Sequence, residues 1–192
     1  MSEEGEENRI QADFETTLPL FGDIDGKSGA AFLTDLFKLL PKKPASIAVL
    51  IRSNGGCIDW GTAIVEGIRI ARERYQTKIG VIGLSQVASM AATIWLSVPV
   101  QDRMLTKKSR LLFHRARTNF SGDLRQRSSN MGEELREMMG FVAMHQKFDT
   151  ELEEQLVFET KKKRSEIKRR VSDGWFISAT EAKALGLVGT II

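Results

Sequence analysis

Ser89 has the setting in this sequence that best suits nucleophilic chemistry. It lies in the run GLSQVASMAA (residues 83–92), at the start of a predicted buried helix at residues 88–98 that follows a predicted strand at residues 79–82. A serine in this position is most often only the N-cap of the helix. If its hydroxyl is instead exposed at the junction, the N–H of Met90 and the helix dipole would face a negative charge developing on a substrate oxygen. The run therefore makes Ser89 a candidate nucleophile.

His114 is the candidate base for such a serine. It ends the apolar run LLFH (residues 111–114), which predicts a short strand, and it follows Ser89 by twenty-five residues. The other of the two histidines, His145, lies in a long polar helix with Asp149 one turn further on, which is typical of a surface residue. A lone histidine at a strand end is more often structural, but His114 is the obvious acceptor for a proton from Ser89.

A third motif, SNGG at residues 53–56, directly follows a predicted strand and precedes a predicted helix. Paired glycines let the backbone turn sharply and leave its N–H groups open to a ligand. Most such motifs are only turns, so SNGG by itself is a weak indication of a site.

The elements around these motifs predict an α/β fold. Strands are predicted at residues 46–51, 79–82, 103–105 and 111–114, and helical patterns at 31–40, 60–74 and 88–98. Strands that alternate with helices form parallel β-α-β units. A last helix at residues 178–185, with Ser178 and Glu181 in a capping box, precedes a closing strand in LVGTII.

Residues 123–159 predict an unusually long amphipathic helix. Its apolar stripe recurs every three or four residues and consists of Met131, Leu135, Met138, Val142, Phe148, Leu152 and Leu156. A small α/β domain cannot cover such a stripe from within, so we expect the helix to project from the body or to pack on a partner. The basic stretch that follows, at residues 161–170, is interpreted as a solvated helix face.

Composition predicts one soluble domain with neither nucleic acid nor membrane as a partner. The chain has 192 residues, of which 42% are apolar, and a net charge of +3. Its single cysteine, Cys57, excludes an intrachain disulfide and suits a reducing cytoplasm. Residues 1–16 carry six acids and little to bury, which predicts a mobile N-terminal arm ahead of a domain at residues 17–192.

Taken in order, these motifs resemble the proteolytic subunit of the Clp protease. The resemblance rests on SIAVLIRSNGG, SQVASMAA, LLFH and the closing segment WFISATEAKALGLVGTII, and it covers about residues 18–192. It implies the Clp-peptidase or crotonase-like fold of stacked β-α-β units, with the long helix as a projecting handle between two rings.

The resemblance also implies an activity and an assembly. The expected activity is that of a serine endopeptidase, which hydrolyses unfolded polypeptides inside a chamber formed by identical subunits. The rings would most often contain seven subunits and stack in pairs as a double heptamer. An AAA+ unfoldase is the expected partner and alone would use ATP, so no cofactor or metal is implied for this chain.

Individual residues take their roles from the same resemblance. Ser89 matches the family nucleophile and His114 the family base, while the backbone N–H groups of Gly56 and Met90 match the oxyanion hole. The chemistry is consistent, since the histidine takes the serine proton and two amides hold the tetrahedral oxyanion.

The acid that would orient the histidine is displaced. Alignment on the SATEA helix puts Gly174 at the family's aspartate position and Asp173 one residue earlier. A one-residue shift in the loop before Trp175 would give Asp173 that role. Otherwise the tautomer of His114 would depend on a backbone carbonyl or on another acid.

Other positions also depart from the family pattern. Asn54 stands where the family usually has proline, and Ser85 where it usually has glycine. His114 is followed by Arg115 and Ala116 in place of the usual glutamine and proline, which predicts an altered peptide-binding loop. The segment between His114 and the closing motif is also longer here, so we expect an extended handle.

Three alternatives remain open at this point. The displaced aspartate is compatible with a weakly active or inactive subunit that contributes structure to a mixed ring. The crotonase-like fold is compatible with an acyl-CoA enzyme, although such enzymes need no serine–histidine pair. A membrane-associated peptidase with a serine–lysine dyad would need a membrane segment, which the sequence does not predict.

Overall fold

The computed structural model describes residues 14–117 and 131–192. They divide into unit 1, which contains residues 14–113 and 174–192, and unit 2, which contains residues 114–117 and 131–173. The predicted N-terminal arm overlaps the described chain only at residues 14–16. There Phe14 packs against the apolar cluster of Ile82 and Met104, and the Glu15 carboxylate accepts a hydrogen bond from the N–H of Ala45 at 3.0 Å. Those residues belong to unit 1, and the rest of the arm lies outside the described residues.

Seven strands form one sheet in unit 1. They are β1 (Thr16–Phe21), β2 (Ser46–Ser53), β3 (Lys78–Ala88), β4 (Arg103–Leu105), β5 (Arg110–Phe113), β6 (Trp175–Ser178) and β7 (Thr190–Ile191). The path β1-β2-β3-β4-β7 is parallel throughout. Strand β5 pairs in parallel with the end of β3, and β6 pairs antiparallel with β5. The predicted strands are confirmed, and His114 is the first residue after β5 rather than its last.

Six α-helices are described. They are α1 (Gly26–Leu39), α2 (Ile58–Arg74), α3 (Met90–Leu96), α4 (Met131–Thr160), α5 (Arg164–Asp173) and α6 (Ala179–Ala184). The capping box of the last helix is confirmed, because the Ser178 hydroxyl accepts from the N–H of Glu181 and the Glu181 carboxylate accepts from the N–H of Ser178. Helix α1 begins five residues earlier than predicted, because Asp25 and Ser28 form a second capping box.

The core of unit 1 lies along the central strands. Val49 and Ile51 of β2 are fully buried, because β2 lies between β1 and β3 and its continuous apolar run is covered on both faces. Arg103 is also buried, and its guanidinium donates to the carbonyls of Leu96 and Val98 at 2.8 and 2.7 Å. These bonds satisfy carbonyls at the C-terminal end of α3 and so fix the helix that begins beside Ser89.

Strand β3 has a bend between the two parts that pair with different strands. The first part of the strand pairs with β4 through residues 81–83, and the last part pairs with β5 through residues 86–88. Between them the register against β2 shifts. Ser85 lies at the bend with φ 60°, a left-handed conformation that glycine adopts more easily than serine. This is one of the positions where the family pattern has glycine.

Unit 2 contains helices α4 and α5, which pack on each other. Leu152 and Leu156 of α4 are buried, as are Ile167 and Val171 of α5, so the C-terminal half of the predicted apolar stripe is covered. Lys168 and Arg169 are exposed, as expected for a solvated basic face. Residues 123–130, where the long helix was predicted to begin, lie outside the described residues. Within residues 14–117 and 131–192, no helix has both the length and the apolarity to cross a membrane.

Candidate active site

Ser89 occupies a strained turn between β3 and α3. Its backbone has φ 56° and ψ −128°, a conformation that costs a residue with a side chain of order 1–3 kcal/mol and is found mainly at functional sites. Helix α3 begins at Met90, so Ser89 is its N-cap by position. The Ser89 hydroxyl nevertheless makes no capping hydrogen bond and is left for other chemistry.

The turn is fixed by its backbone hydrogen bonds. The N–H of Ser89 donates to the carbonyl of Leu112 at 2.8 Å, and the carbonyl of Ser89 accepts from the N–H groups of Ala92 and Thr93. Leu112 belongs to β5, the strand after which His114 follows in the chain. The position of Ser89 is therefore tied to β5 as well as to α3.

Gly55 of the SNGG motif lies directly against Ser89. A Cβ atom at residue 55 would be 2.5 Å from the Ser89 Cβ and 3.0 Å from its Oγ, and φ at Gly55 is +102°. A side chain of any size would therefore collide with the serine. The Ser53 hydroxyl accepts from the N–H of Gly55 at 3.0 Å, which fixes this approach. The SNGG motif therefore packs directly against the candidate nucleophile in addition to turning the chain.

Gly56 is held between two hydrogen bonds to Ile24. The N–H of Ile24 donates to the carbonyl of Gly55 at 2.9 Å, and the N–H of Cys57 donates to the carbonyl of Ile24 at 2.7 Å. A Cβ at residue 56 would be 2.1 Å from the Ile24 oxygen, so glycine is required there too. The N–H groups of Gly56 and Met90 make no hydrogen bond to another residue in the described ranges. They stay available as the two donors that the sequence predicted.

His114 is held by a backbone carbonyl. Its Nδ1 lies 2.6 Å from the carbonyl oxygen of Arg115, and the side chain is half-buried. A carbonyl oxygen can only accept, so Nδ1 carries the proton and Nε2 of the neutral ring keeps its lone pair. This is the tautomer that a general base needs. The sequence left open a backbone carbonyl as the orienting group, and the structure provides one.

Asp173 ends helix α5 in an exposed position. Its carboxylate pairs with Arg169 one turn back at 3.9 Å, and its side chain is 69% exposed. No hydrogen bond or ion pair joins it to His114 among the described residues of unit 2. Its role as the orienting acid stays a prediction.

Two acids of α4 hold the segment after His114, and sequence reasoning missed both. The Asp149 carboxylate accepts from the N–H of Ala116 at 2.8 Å, and the Glu153 carboxylate, only 7% exposed, pairs with Arg115 at 3.1 Å. Burial raises the pKa of the Asp149 carboxyl above its ordinary value, and the hydrogen bond from Ala116 partly offsets that effect. Four-residue spacing puts both acids on one helix face, but that spacing does not show that they contact residues 115 and 116.

Comparisons with known proteins agree with the fold. The family model described as Clp protease matches residues 6–192. The ATP-dependent Clp protease proteolytic subunit 3 of Rhizobium johnstonii is 25% identical over 173 residues, which are 90% of this chain and 81% of the relative. Proteolytic subunit 2 of Borreliella burgdorferi is 28% identical over 154 residues, which are 79% and 68% of the two chains.

Solved structures support the same fold. A ClpP1 mutant from Listeria monocytogenes superposes with a TM-score of 0.73 at 20% identity, covering 97% of this chain and 94% of that one. The predicted Clp-peptidase fold is therefore confirmed. Because the family model spans almost the whole length, the chain belongs to the Clp protease family.

Proposed function

We propose that this chain is a serine endopeptidase subunit that cleaves unfolded polypeptides, with Ser89 as nucleophile and His114 as general base. The observation that carries the proposal is the strained backbone of Ser89, whose hydroxyl caps nothing. Ser178 shows what an ordinary cap looks like in the same chain, since it has extended backbone and accepts from the N–H of Glu181. Strain of the Ser89 kind persists where a function requires it.

The proposed reaction follows from the groups present. Nε2 of His114 takes the proton of the Ser89 hydroxyl while Oγ attacks the carbonyl carbon of the substrate peptide. The N–H groups of Gly56 and Met90 hold the resulting oxyanion. The imidazolium then gives its proton to the leaving amine, and the carbon–nitrogen bond breaks to leave an acyl-enzyme. Water, deprotonated by the same histidine, hydrolyses that ester and restores Ser89.

The proposed assembly is a chamber of stacked rings served by an AAA+ unfoldase in the cytoplasm. The relatives are named as proteolytic subunits of ATP-dependent proteases, which supports a separate partner that uses ATP. Helix α4 supports an interface, because Leu135, Met139, Phe141 and Val142 in its N-terminal half are 41–71% exposed. An apolar patch of this kind is typical of a surface that contacts another subunit.

Two substitutions test the proposed chemistry. Ser89→Ala and His114→Ala should each lower hydrolysis of an unfolded polypeptide by roughly 10⁴–10⁶-fold, because the two residues act as a unit. Ser97→Ala is a matched control, since the Ser97 hydroxyl donates to the carbonyl of Ile94 within the same strand–helix region. Near wild-type activity in either test variant would show that the assignment is wrong.

A weakly active subunit of a mixed ring is the second candidate. The exposed ion pair of Asp173 with Arg169 favours it, because that acid is the sequence's candidate for orienting His114. Two results together would favour this candidate. The purified homo-oligomer would hydrolyse substrate no faster than the Ser89→Ala variant does, and addition of a second type of subunit would restore activity.

A further inference from the structure

The strongest unused feature of unit 2 is a chain of hydrogen bonds that runs from His114 to a carboxylate through one peptide group. Nδ1 of His114 donates to the carbonyl oxygen of Arg115 at 2.6 Å. The N–H of that same peptide group is the N–H of Ala116, and it donates to Oδ1 of Asp149 at 2.8 Å. Imidazole, peptide and carboxylate are thus connected in series.

We infer that Asp149 is the positioning residue for His114 and acts through the peptide bond between Arg115 and Ala116. A carboxylate at the N–H end of a peptide polarises it and makes the carbonyl oxygen at the other end a better acceptor. A better acceptor favours the tautomer with the proton on Nδ1 and stabilises the imidazolium formed during catalysis. The inference rests on the proposed role of His114 as base.

The sequence departures fit this arrangement. The family pattern has proline where this chain has Ala116, and proline has no N–H to donate. Only because residue 116 is not proline can a carboxylate bind that peptide group. The same chain has Gly174 at the position of the family's aspartate, so the orienting acid is displaced and a second route to His114 is present.

The peptide group is further fixed by Arg115. Its guanidinium pairs with the buried carboxylate of Glu153, one helical turn beyond Asp149 on α4. Because both acids come from one helix, α4 holds the Arg115 side chain through Glu153 and the Ala116 N–H through Asp149. Glu153 therefore supports the peptide group, while Asp149 binds it directly.

The charged groups near Asp149 determine whether its carboxylate stabilises the fold, and this separates a role in stability from a role in positioning His114. Burial raises the pKa of Asp149 and the Glu153 carboxylate adds to that effect, whereas the hydrogen bond from Ala116 and the charges of Arg115 and His145 favour the ionised form. A carboxyl with a raised pKa stabilises the fold when protonated, below its unfolded pKa, and loses that contribution as the pH rises through its folded pKa. At neutral pH, Asp149→Asn should therefore leave the melting temperature unchanged or slightly higher.

The test compares Asp149→Asn, which keeps an acceptor for Ala116 but removes the charge, with Asp149→Ala, which removes both. We expect kcat to fall about 10-fold in the first and about 10–100-fold in the second, with KM within about 2-fold, because only the base is affected. Glu151→Gln is the control, since Glu151 is exposed on the same helix. Under this inference Asp173→Asn should stay within about 3-fold of wild type, whereas the orienting role that the sequence predicts for Asp173 would make it cost about 10²–10⁴-fold.

A double-mutant cycle tests the peptide group between Arg115 and Ala116 directly. Ala116→Pro removes the N–H and should cost about as much as Asp149→Ala, while Ala116→Gly keeps the N–H and should cost little. In the Ala116→Pro background, Asp149→Asn should add almost nothing, because the connection is already broken.

The decisive readout is the tautomer of His114, observed by ¹⁵N solid-state NMR of sedimented protein with labelled histidine at alkaline pH. The His114 signals are those absent from His114→Ala. We expect the proton on Nδ1 in the wild type and a partial shift to Nε2 in both Asp149 variants. An unchanged tautomer, or kcat within 2-fold of wild type in Asp149→Asn, would overturn the inference. Full activity of His114→Ala would instead overturn the proposed function on which it rests.

Discussion

The backbone around Ser89 and the segment around His114 are held in different ways. Close backbone packing fixes Ser89, because Gly55 leaves no space beside it and Leu112 binds its N–H. A few polar contacts from α4 hold His114 through the residues that follow it. The position of the nucleophile therefore depends on close backbone packing, and the position of the base depends on hydrogen bonds and ion pairs. Substitutions that damage one should differ from those that damage the other.

Among variants that keep Ser89 and His114, Gly55→Ala should give the largest loss, because it disrupts the backbone packing around Ser89. Its methyl group would overlap Ser89, and its backbone would keep a φ of +102° that alanine resists. We expect activity to fall about 10²–10³-fold and the free energy of unfolding to fall by about 1–3 kcal/mol. Peptide hydrolysis and thermal unfolding measure the two effects.

Gly22→Ala is the matched control for this variant. Gly22 also has a positive φ, of +81°, but a Cβ there would meet nothing within 4 Å. Gly22→Ala should lower the free energy of unfolding through the same backbone strain but leave the peptidase activity unchanged. Equal loss of activity in both variants would show that strain, and not contact with Ser89, is responsible.

The apolar half of α4 should control assembly. Leu135→Asp combined with Val142→Asp puts two charges on the exposed patch, and a charge buried without a partner is costly. The wild type of 21.5 kDa subunits should form an assembly of about 150–300 kDa, and the variant should dissociate. Light scattering measures this, with Lys147→Glu as the control, because Lys147 is exposed on the same helix but is not three or four residues from Leu135 or Val142. A monomeric wild type at micromolar concentration would contradict the chambered assembly.

Arg115→Ala should have a smaller effect, because it removes one of the polar contacts that hold the segment after His114. It leaves the buried Glu153 carboxylate without its partner, so we expect the free energy of unfolding to fall by about 1–3 kcal/mol and activity to fall several-fold. Arg164→Ala breaks a pair of similar length, 3.2 Å, in which both side chains are 58% exposed. It should cost less than about 0.5 kcal/mol. Equal destabilisation of the two variants would show that burial of Glu153 does not matter.

Removal of residues 2–12 should give the smallest change. By resemblance to the family, the acidic arm corresponds to the segment that lines the axial pore. We expect hydrolysis of an unfolded protein to rise about 2–5-fold relative to hydrolysis of a short peptide. The reason is that a segment lining the pore would limit the entry of long chains more than that of short ones. Phe14 and Glu15 are retained in this variant, since they contact unit 1. An unchanged ratio would exclude a gating role.

Much of unit 1 could be predicted from the sequence. The buried run SIAVLI and the capping box at Ser178 each identify a local structure by residue type alone. Strand β1 and strand β6 were missed, and β1 contains a proline, a residue that argues against a strand. The bend at Ser85 could be expected only from the family pattern, since serine rarely adopts its φ of 60°.

The site was predictable where it depends on neighbours in sequence and not where it depends on tertiary contact. Ser89 and Met90 could be named because they lie at a strand-to-helix junction, whereas Gly56 took its role from the family resemblance. Asp149 could not, because thirty-three residues separate it from Ala116 and its spacing from His145 is that of an ordinary surface pair. Long-range hydrogen bonds leave no periodic signal in a sequence.

The most direct test of the central claim is covalent labelling with a fluorophosphonate, followed by peptide mass spectrometry. The phosphorus is attacked by an activated serine hydroxyl with loss of fluoride, so labelling needs both nucleophile and base but no substrate recognition. We predict one adduct per chain, on Ser89, and labelling at least about 100-fold slower in His114→Ala. An adduct on another serine, or none on Ser89 in the wild type, would contradict the account.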